Sequence, residues 1–213
     1  MKDLLYKEFV LAKHPTMFFF PLFACMLLIP SYPYLIPLMY TCLEVFFIFV
    51  TGRENSDVFY TVSLPVRKRD VVKARCGMIV IIELFQIVVA VPFALIRARM
   101  AGTVGLNGAG MEANVALFGF AFVMYALFNV LFLPTFYKNA HSAGKGLILG
   151  GIGVFAVIAL AETLAFLVPS LDTIEPAAQM RQLPILLGGM ALYAAGTLAA
   201  YRIGAARFEK ADL

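Results

Sequence analysis

The sequence predicts an all-α integral membrane protein with six transmembrane helices, both termini cytoplasmic, in a single membrane domain over residues 1–213. Of the 213 residues, 62% are hydrophobic and only 14% are charged, and the mean hydropathy is +0.88. Soluble domains have about 45–50% apolar and about 25% charged residues. The apolar residues fall in six runs, each close to the roughly 20 residues that an α-helix needs to cross a bilayer. This composition excludes a soluble enzyme, a disordered tail and a secreted disulfide scaffold.

Residues 1–14 precede the first apolar run and predict an interfacial amphipathic helix. Leu4, Leu5, Phe9 and Ala12 recur at helical spacing, with charged residues on the other faces. This pattern is typical of a helix that lies in the cytoplasmic interface with its apolar side in the lipid boundary. A plain cytoplasmic extension of the first span is the alternative. Acidic residues interrupt the basic stretch that a signal peptide would need.

The six spans are predicted at residues 15–30, 31–50, 74–96, 115–137, 147–168 and 183–203. Pro30 and Pro33 predict a tight outer turn between the first two spans, and Pro37 predicts a kink in the second. The glycine-rich segment 98–114 predicts a flexible outer loop. In the last outer loop, Asp172 could open a short helix.

The basic residues predict the orientation of these spans. With both ends inside, fourteen of the seventeen lysines and arginines fall in inner segments, and three, Arg97 among them, fall outside. Cytoplasmic loops carry an excess of lysine and arginine, so this uneven division favours cytoplasmic ends. A cysteine at Asn107 should therefore be labelled from outside, whereas cysteines at Asn139 or Glu209 should not.

Five polar side chains within the predicted spans are candidates to line an internal pathway. A charged group at the centre of a bilayer costs about 2.5–3.5 kcal/mol, so such residues are expected to face protein or water. A proton relay and simple hydrogen bonding between helices are both open interpretations. The candidates are Glu44, Glu83, Gln86, Asn129 and Glu162.

The chain has no motif for its own catalysis. There is no G-x-x-x-x-G-K-[ST] phosphate loop, no H-E-x-x-H and no nucleophile elbow. Cys25, Cys42 and Cys76 lack C-x-x-C spacing, so neither a disulfide framework nor a zinc site is indicated. We expect no cofactor and no metal in this chain, and no enzymatic activity of its own.

The inner loop between the second and third spans is the most distinctive segment. Asn55 or Ser56 can cap a short helix, Asp57 falls in its first turn, and Pro65 ends it. Val58 and Phe59 share one side of this helix with Val62, one turn later. An apolar cluster on a cytoplasmic loop is usually a contact site.

A basic anchor is the second interpretation of this loop. Arg67, Lys68 and Arg69, followed by Lys73 and Arg75, would be attracted to anionic lipid at about 1 kcal/mol each. The contact helix and the basic anchor are compatible with each other.

The same loop carries a family resemblance. Glu54, then Ser63-Leu64-Pro65-Val66, a basic cluster, and Asp70-Val71-Val72 leading through Ala74-Arg75 into a span resemble the signature loop of ABC-2-type transporter permeases. The resemblance is greatest to the small six-span branch that includes permeases of phenol-soluble-modulin exporters. The family pattern is roughly S-L-P-[VI]-[ST]-R, from which this chain departs at Val66-Arg67, where a Ser or Thr commonly precedes the arginine.

The resemblance implies the membrane subunit of an ATP-driven exporter in a bacterial cell membrane. A separate cytoplasmic ABC ATP-binding subunit would bind ATP and Mg²⁺, and a second permease chain, identical or related, would complete the pathway. Membrane lipid is the other partner, and no nucleic acid is expected. The short helix would couple to the ATPase through Glu54, Asp57, Val58, Phe59, Tyr60, Val62, Leu64 and Pro65.

The sequence leaves the identity of the cargo and two alternative functions open. Twenty phenylalanines, ten methionines and no tryptophan offer an adaptable apolar lining that suits an amphipathic or hydrophobic peptide, lipid or drug. One alternative is an ion-gradient-driven secondary transporter or channel that uses Glu44, Glu83 and Glu162. The other is a membrane scaffold or immunity protein that transports nothing.

Overall fold

The computed structural model describes residues 2–12, 15–63, 65–139 and 143–210, apart from the side chains of Pro15, Val58, Phe59, Val62 and Asn139. These ranges hold seven α-helices joined by short connections. They are α1 (Lys2–Leu11), α2 (Leu35–Glu54), α3 (Asp57–Ser63), α4 (Lys68–Val104), α5 (Val115–Asn139), α6 (Ala143–Leu167) and α7 (Pro176–Glu209). Three 3-10 helices cover Pro15–Phe18, Phe20–Leu28 and Pro169–Leu171.

Five of the described helices, α2, α4, α5, α6 and α7, are long and apolar enough to cross a membrane. A sixth span is counted if α1 and the 3-10 segment Thr16–Leu28 are taken together, although they are bent by 105° at the break between them. The all-helical, multi-pass membrane fold is therefore confirmed, with five or six candidate spans where the sequence predicts six.

The first predicted span is a 3-10 segment instead of an α-helix. A 3-10 helix rises about 2.0 Å per residue, so the thirteen residues from Thr16 to Leu28 extend about 26 Å. This length approaches the roughly 30 Å of a hydrocarbon core. Pro21 at the start of the Phe20–Leu28 helix lacks an N–H, which disfavours a continuous α-helical ladder here.

The apolar side of α1 packs on protein, not into the lipid boundary as the sequence predicts. Ala12 is fully buried in a cluster with Ile48 of α2 and Met78 of α4, and Leu5 and Phe9 pack against that cluster. The residues that α1 exposes include Tyr6 and Val10 (73% and 50%). Helical spacing identifies which residues share a face, but not whether that face meets lipid or another helix.

Three further expectations about local structure are wrong. Pro37 does not kink the second span, because α2 begins at Leu35 and a proline in the first turn removes no intrahelical hydrogen bond. Residues 98–104 are not loop, because α4 runs on to Val104 before Gly105, at φ 87°, ends it. Asp172 does not open a helix but follows the short Pro169–Leu171 helix.

α5 is the central helix of the bundle and packs against α7 and α6. A Cβ on Gly119 would lie 2.8 Å from the carbonyl oxygen of Ile185, and a Cβ on Gly189 would collide with the backbone of Gly119. The two glycines therefore allow the backbones of α5 and α7 to touch, as small residues do in membrane helix pairs. This packing fixes α7 beside α4 and α5.

Candidate functional site

A buried charge cluster ties α3 to α1 and α4. Arg75 of α4 pairs through Nη2 with Asp57 of α3 and through Nε with Glu8 of α1. Lys7 Nζ lies 2.7 Å from Asp57 Oδ1 and 2.9 Å from Glu8 Oε1, and donates a hydrogen bond of 2.6 Å to Thr61 Oγ1. The two carboxylates are 0% and 1% exposed, Arg75 is 5% exposed and Lys7 is 14% exposed, so two cations and two anions neutralise each other almost entirely away from water.

The side chains around Arg75 fix its position. The guanidinium carbon lies 5.2 Å from the centre of the Phe49 ring, a cation–π distance. A Cβ on Gly52 would lie 3.0 Å from Nη1 of Arg75, so the glycine of α2 leaves the space that the guanidinium fills. Arg75 of α4 thus contacts α1, α2 and α3. It fixes α3, which lies in the segment that connects α2 to α4.

α3 presents two different faces. Asp57 and Thr61, one turn apart, are buried in the charge cluster, and Thr61 Oγ1 donates to the Asp57 carbonyl oxygen at 2.7 Å. Tyr60, on another side, is 56% exposed, and Ser63 is exposed as well. The helix is therefore anchored on one face and open on the other.

The predicted coupling residues divide between these faces. Glu54, Tyr60 and Pro65 are exposed, which suits contact with a partner. Asp57 was expected among the contact residues, but its side chain is 1% exposed and serves as an anchor. Leu64 and the side chains of Val58, Phe59 and Val62 lie outside the described part of the chain.

Four of the five predicted pathway residues are buried inside the single chain. Glu83 accepts hydrogen bonds from Tyr193 Oη at 2.6 Å and from Asn129 Nδ2 at 3.1 Å. Glu44 and Gln86 are 0% exposed, and neither carboxylate nor amide has a hydrogen-bond partner among the described residues. These four side chains thus lie between helices of a single chain, and their pathway role stays a prediction.

Comparison with known families identifies the chain. The model of a family described as "ABC-2 family transporter protein" matches residues 3–203. The chain belongs to the ABC-2 transporter family. Neither the curated proteins nor the solved structures compared with this chain include a significant match. The matched range includes α1 almost from its start, α2 to α6 in full and most of α7. It therefore includes the segment between α2 and α4 on which the sequence resemblance depends.

A second buried ion pair lies between the end of α4 and the segment that leads into α5. Arg97 and Glu112 are both 0% exposed, with Arg97 Nη2 2.8 Å from Glu112 Oε1 and 2.7 Å from the Gly105 carbonyl oxygen. Glu112 Oε1 also accepts the Asn107 N–H at 2.5 Å. The segment 105–114, predicted to be flexible, is instead held around one buried carboxylate.

Segment 105–114 is also hydrogen-bonded to three other parts of the bundle. Glu162, the fifth predicted pathway residue, accepts the Met111 N–H at 2.7 Å, and Asp172 accepts the Glu112 N–H at 2.7 Å. Gly108 N–H donates to the Pro30 carbonyl oxygen at 3.0 Å. Burial raises the pKa of Asp172, the hydrogen bond from Glu112 N–H lowers it, and the Glu112 charge raises it further.

An apolar cavity of about 590 Å³ opens on the side of the bundle formed by α2 and α6. The α6 residues beside it are largely exposed, including Ile148, Ile152 and Phe155 at 65%, 64% and 60%. Ligand cavities have volumes of this order. Its other lining residues include Met39, Cys42, Leu43, Phe128 and Gly151.

Sequence reasoning missed Lys7, Glu8 and Glu112 and assigned Arg75 and Arg97 to solvent or lipid. One signal was available for the two arginines. Each lies within a few residues of the predicted third span, at its start or its end. A charge in such a position is expected to pair with another charge or with backbone carbonyls.

Proposed function

We propose that this chain is the permease subunit of an ATP-driven exporter, powered by a separate cytoplasmic ABC ATP-binding subunit. The anchored position of α3 supports this proposal most directly. α3 is fixed through Asp57 to Lys7 of α1 and to Arg75 of α4, while another face of it is exposed. A helix held in this way can receive a force from a partner and pass it to the spans. The chain itself would bind neither ATP nor Mg²⁺, and both would be held by the ATPase.

A second permease chain, identical or related, would complete the complex in the cell membrane. Of the most apolar stretch of each helix, 28% is buried in α6 and 22% in α7, against 61% in α5. Both α6 and α7 therefore have large faces free for lipid or for another chain. The apolar cavity beside α2 and α6 suits an amphipathic or hydrophobic cargo. We propose that this side of the bundle faces the transport pathway.

The predicted contact helix, α3, provides the test of this function. Phe59→Ala, and to a lesser degree Tyr60→Ala, should weaken docking of the ATP-binding subunit, because aromatic anchors contribute about 2 kcal/mol or more. That loss corresponds to about 30-fold in affinity. The measurements are co-purification of the ATPase and its hydrolysis rate with and without cargo.

Tyr6→Ala is the matched control, because Tyr6 is an exposed aromatic side chain on the neighbouring helix α1. It should leave docking unchanged. Normal ATPase binding and transport by both α3 variants would contradict the coupling role and favour a lipid anchor.

The orientation predicts a labelling pattern in sealed cells. Because Asn107 is only 7% exposed, Leu106 (59% exposed) is the better outer position. A cysteine at Leu106 should react with an impermeant thiol reagent added outside, whereas one at the exposed inner position Lys145 should react only after permeabilisation. Cys25→Ala removes the exposed native thiol as background. The opposite pattern would invert the proposed topology.

The buried polar residues support a second candidate, transport driven by an ion gradient, and one variant separates the two. Glu83→Gln keeps the shape and the hydrogen bond from Tyr193 but removes the ionisable group. For an ATP-driven exporter, we expect altered cargo preference with basal ATP hydrolysis near normal. A large loss of transport, with the residual transport no longer dependent on pH, would favour the ion-gradient mechanism.

A further inference from the structure

A basic cleft of about 380 Å³ lies where the beginning of α4 meets the end of α7. Arg69 of α4 and Arg202 of α7 stand on its two sides, beside the ring of Tyr201, and Ala205 and Ala206 complete the lining. We call these five residues the inner basic cleft. Two guanidinium groups that face one cavity from separate helices are a recurrent arrangement for binding phosphate groups.

The charges of the inner basic cleft are only partly compensated. Arg69 pairs with Glu209, through Nε at 2.5 Å and Nη2 at 3.0 Å. A guanidinium carries five N–H donors, so this pair leaves others for an anion. Arg202 is exposed and makes no hydrogen bond or ion pair with a residue in the described ranges. One carboxylate, that of Glu209, thus compensates only part of the positive charge of the two arginines.

The position of the cleft favours a lipid over a free anion. Arg202 and Tyr201 lie at the end of the apolar part of α7, and tyrosine and arginine at such positions are typical of the headgroup level. One turn farther into the bilayer Leu198 is 48% exposed, and farther along the helix Leu187 is 63% exposed. The basic cleft is therefore continuous with an apolar stripe on the same helix.

We propose that the inner basic cleft binds the phosphate headgroup of an anionic phospholipid, with the acyl chains along the exposed stripe of α7. Arg202 supplies the uncompensated charge, Arg69 a second guanidinium, and Tyr201 a hydroxyl donor. Basic pockets between helices on the cytoplasmic side are known to take anionic headgroups. This site is independent of the proposed transport function and requires only that the chain spans a membrane.

The experiment measures thermal unfolding of the full chain in detergent while single lipids are added. Phosphatidylglycerol should raise the midpoint, since a ligand that binds only the folded state stabilises it. Phosphatidylcholine and inorganic phosphate should not. Arg202→Gln should weaken the apparent affinity for phosphatidylglycerol about fivefold, as expected for one lost contact with an anionic headgroup.

Two variants serve as controls for charge and for the Arg69 pair. Lys145→Gln removes one exposed positive charge from the same side of the protein and should keep the full shift. Glu209→Gln releases Arg69 from its partner and should keep or increase it. Three results would overturn the site. They are equal midpoint shifts with phosphatidylglycerol and phosphatidylcholine, a loss of affinity in Lys145→Gln equal to that in Arg202→Gln, and a smaller midpoint shift in Glu209→Gln than in the unaltered protein. An equal shift with inorganic phosphate would overturn its assignment to lipid.

Discussion

Arg75→Ala is expected to lower the free energy of unfolding by about 3–5 kcal/mol, because it leaves two buried carboxylates without their main cation. Glu8 and Asp57 are almost completely buried, so solvent cannot screen the loss. We also expect α3 to detach from α4, so that ATP hydrolysis in the proposed complex with an ATP-binding subunit no longer responds to cargo. Thermal unfolding in detergent measures the first effect, and cargo-stimulated hydrolysis measures the second.

Lys73→Ala is the control for Arg75→Ala, since Lys73 is an exposed basic residue two positions earlier on the same helix. It should change stability by less than about 0.5 kcal/mol, as is usual for surface substitutions. Adding Glu8→Gln and Asp57→Asn to Arg75→Ala should restore part of the stability, because the unpaired charges are then removed. Equal stability of Arg75→Ala and Lys73→Ala would show that the cluster contributes little.

Arg97→Leu should have an effect of similar size at the opposite end of the molecule. It leaves Glu112 as an unpaired buried charge, for which the expected loss is again about 3–5 kcal/mol. The Gly105 carbonyl loses its donor as well. We therefore expect segment 105–114 to exchange its amide hydrogens much faster, while the amides of α5 stay protected.

The control for Arg97→Leu is Arg99→Leu, because Arg99 is exposed on the same helix. It should leave the exchange of segment 105–114 unchanged. Fast exchange of segment 105–114 in the unaltered protein would contradict the role of Glu112 in holding it.

The membrane class and most of the spans were predictable from the sequence. The fourth span is predicted at 115–137 and found as α5, at Val115–Asn139. The short helix predicted between the second and third spans is found as α3, at Asp57–Ser63, between the predicted cap and Pro65. These features depend on local properties, such as the length of an apolar run, a cap or a proline, which can be read within a single segment.

The least accurate expectations concern elements whose form depends on neighbours. Residues 105–114 have the composition of a flexible loop, yet they are held by Arg97 near the end of α4, by Glu162, by Asp172 and by the Pro30 carbonyl. Similarly, α1 has a recognisable apolar side, but only the position of α2 and α4 decides that this side is covered by protein.

The sequence is enough to show that this chain is a membrane protein, about how many times it crosses the bilayer, and which loop is distinctive. These properties can be predicted because transfer of a segment into lipid depends on that segment alone. The tertiary structure decided which charges are buried and with what. Arg75 meets Glu8 across 67 positions and Asp57 across 18, and in low-dielectric surroundings each charge is tolerated only where its partner is placed by packing. Pairing of this kind follows from the arrangement of helices, which no single segment contains.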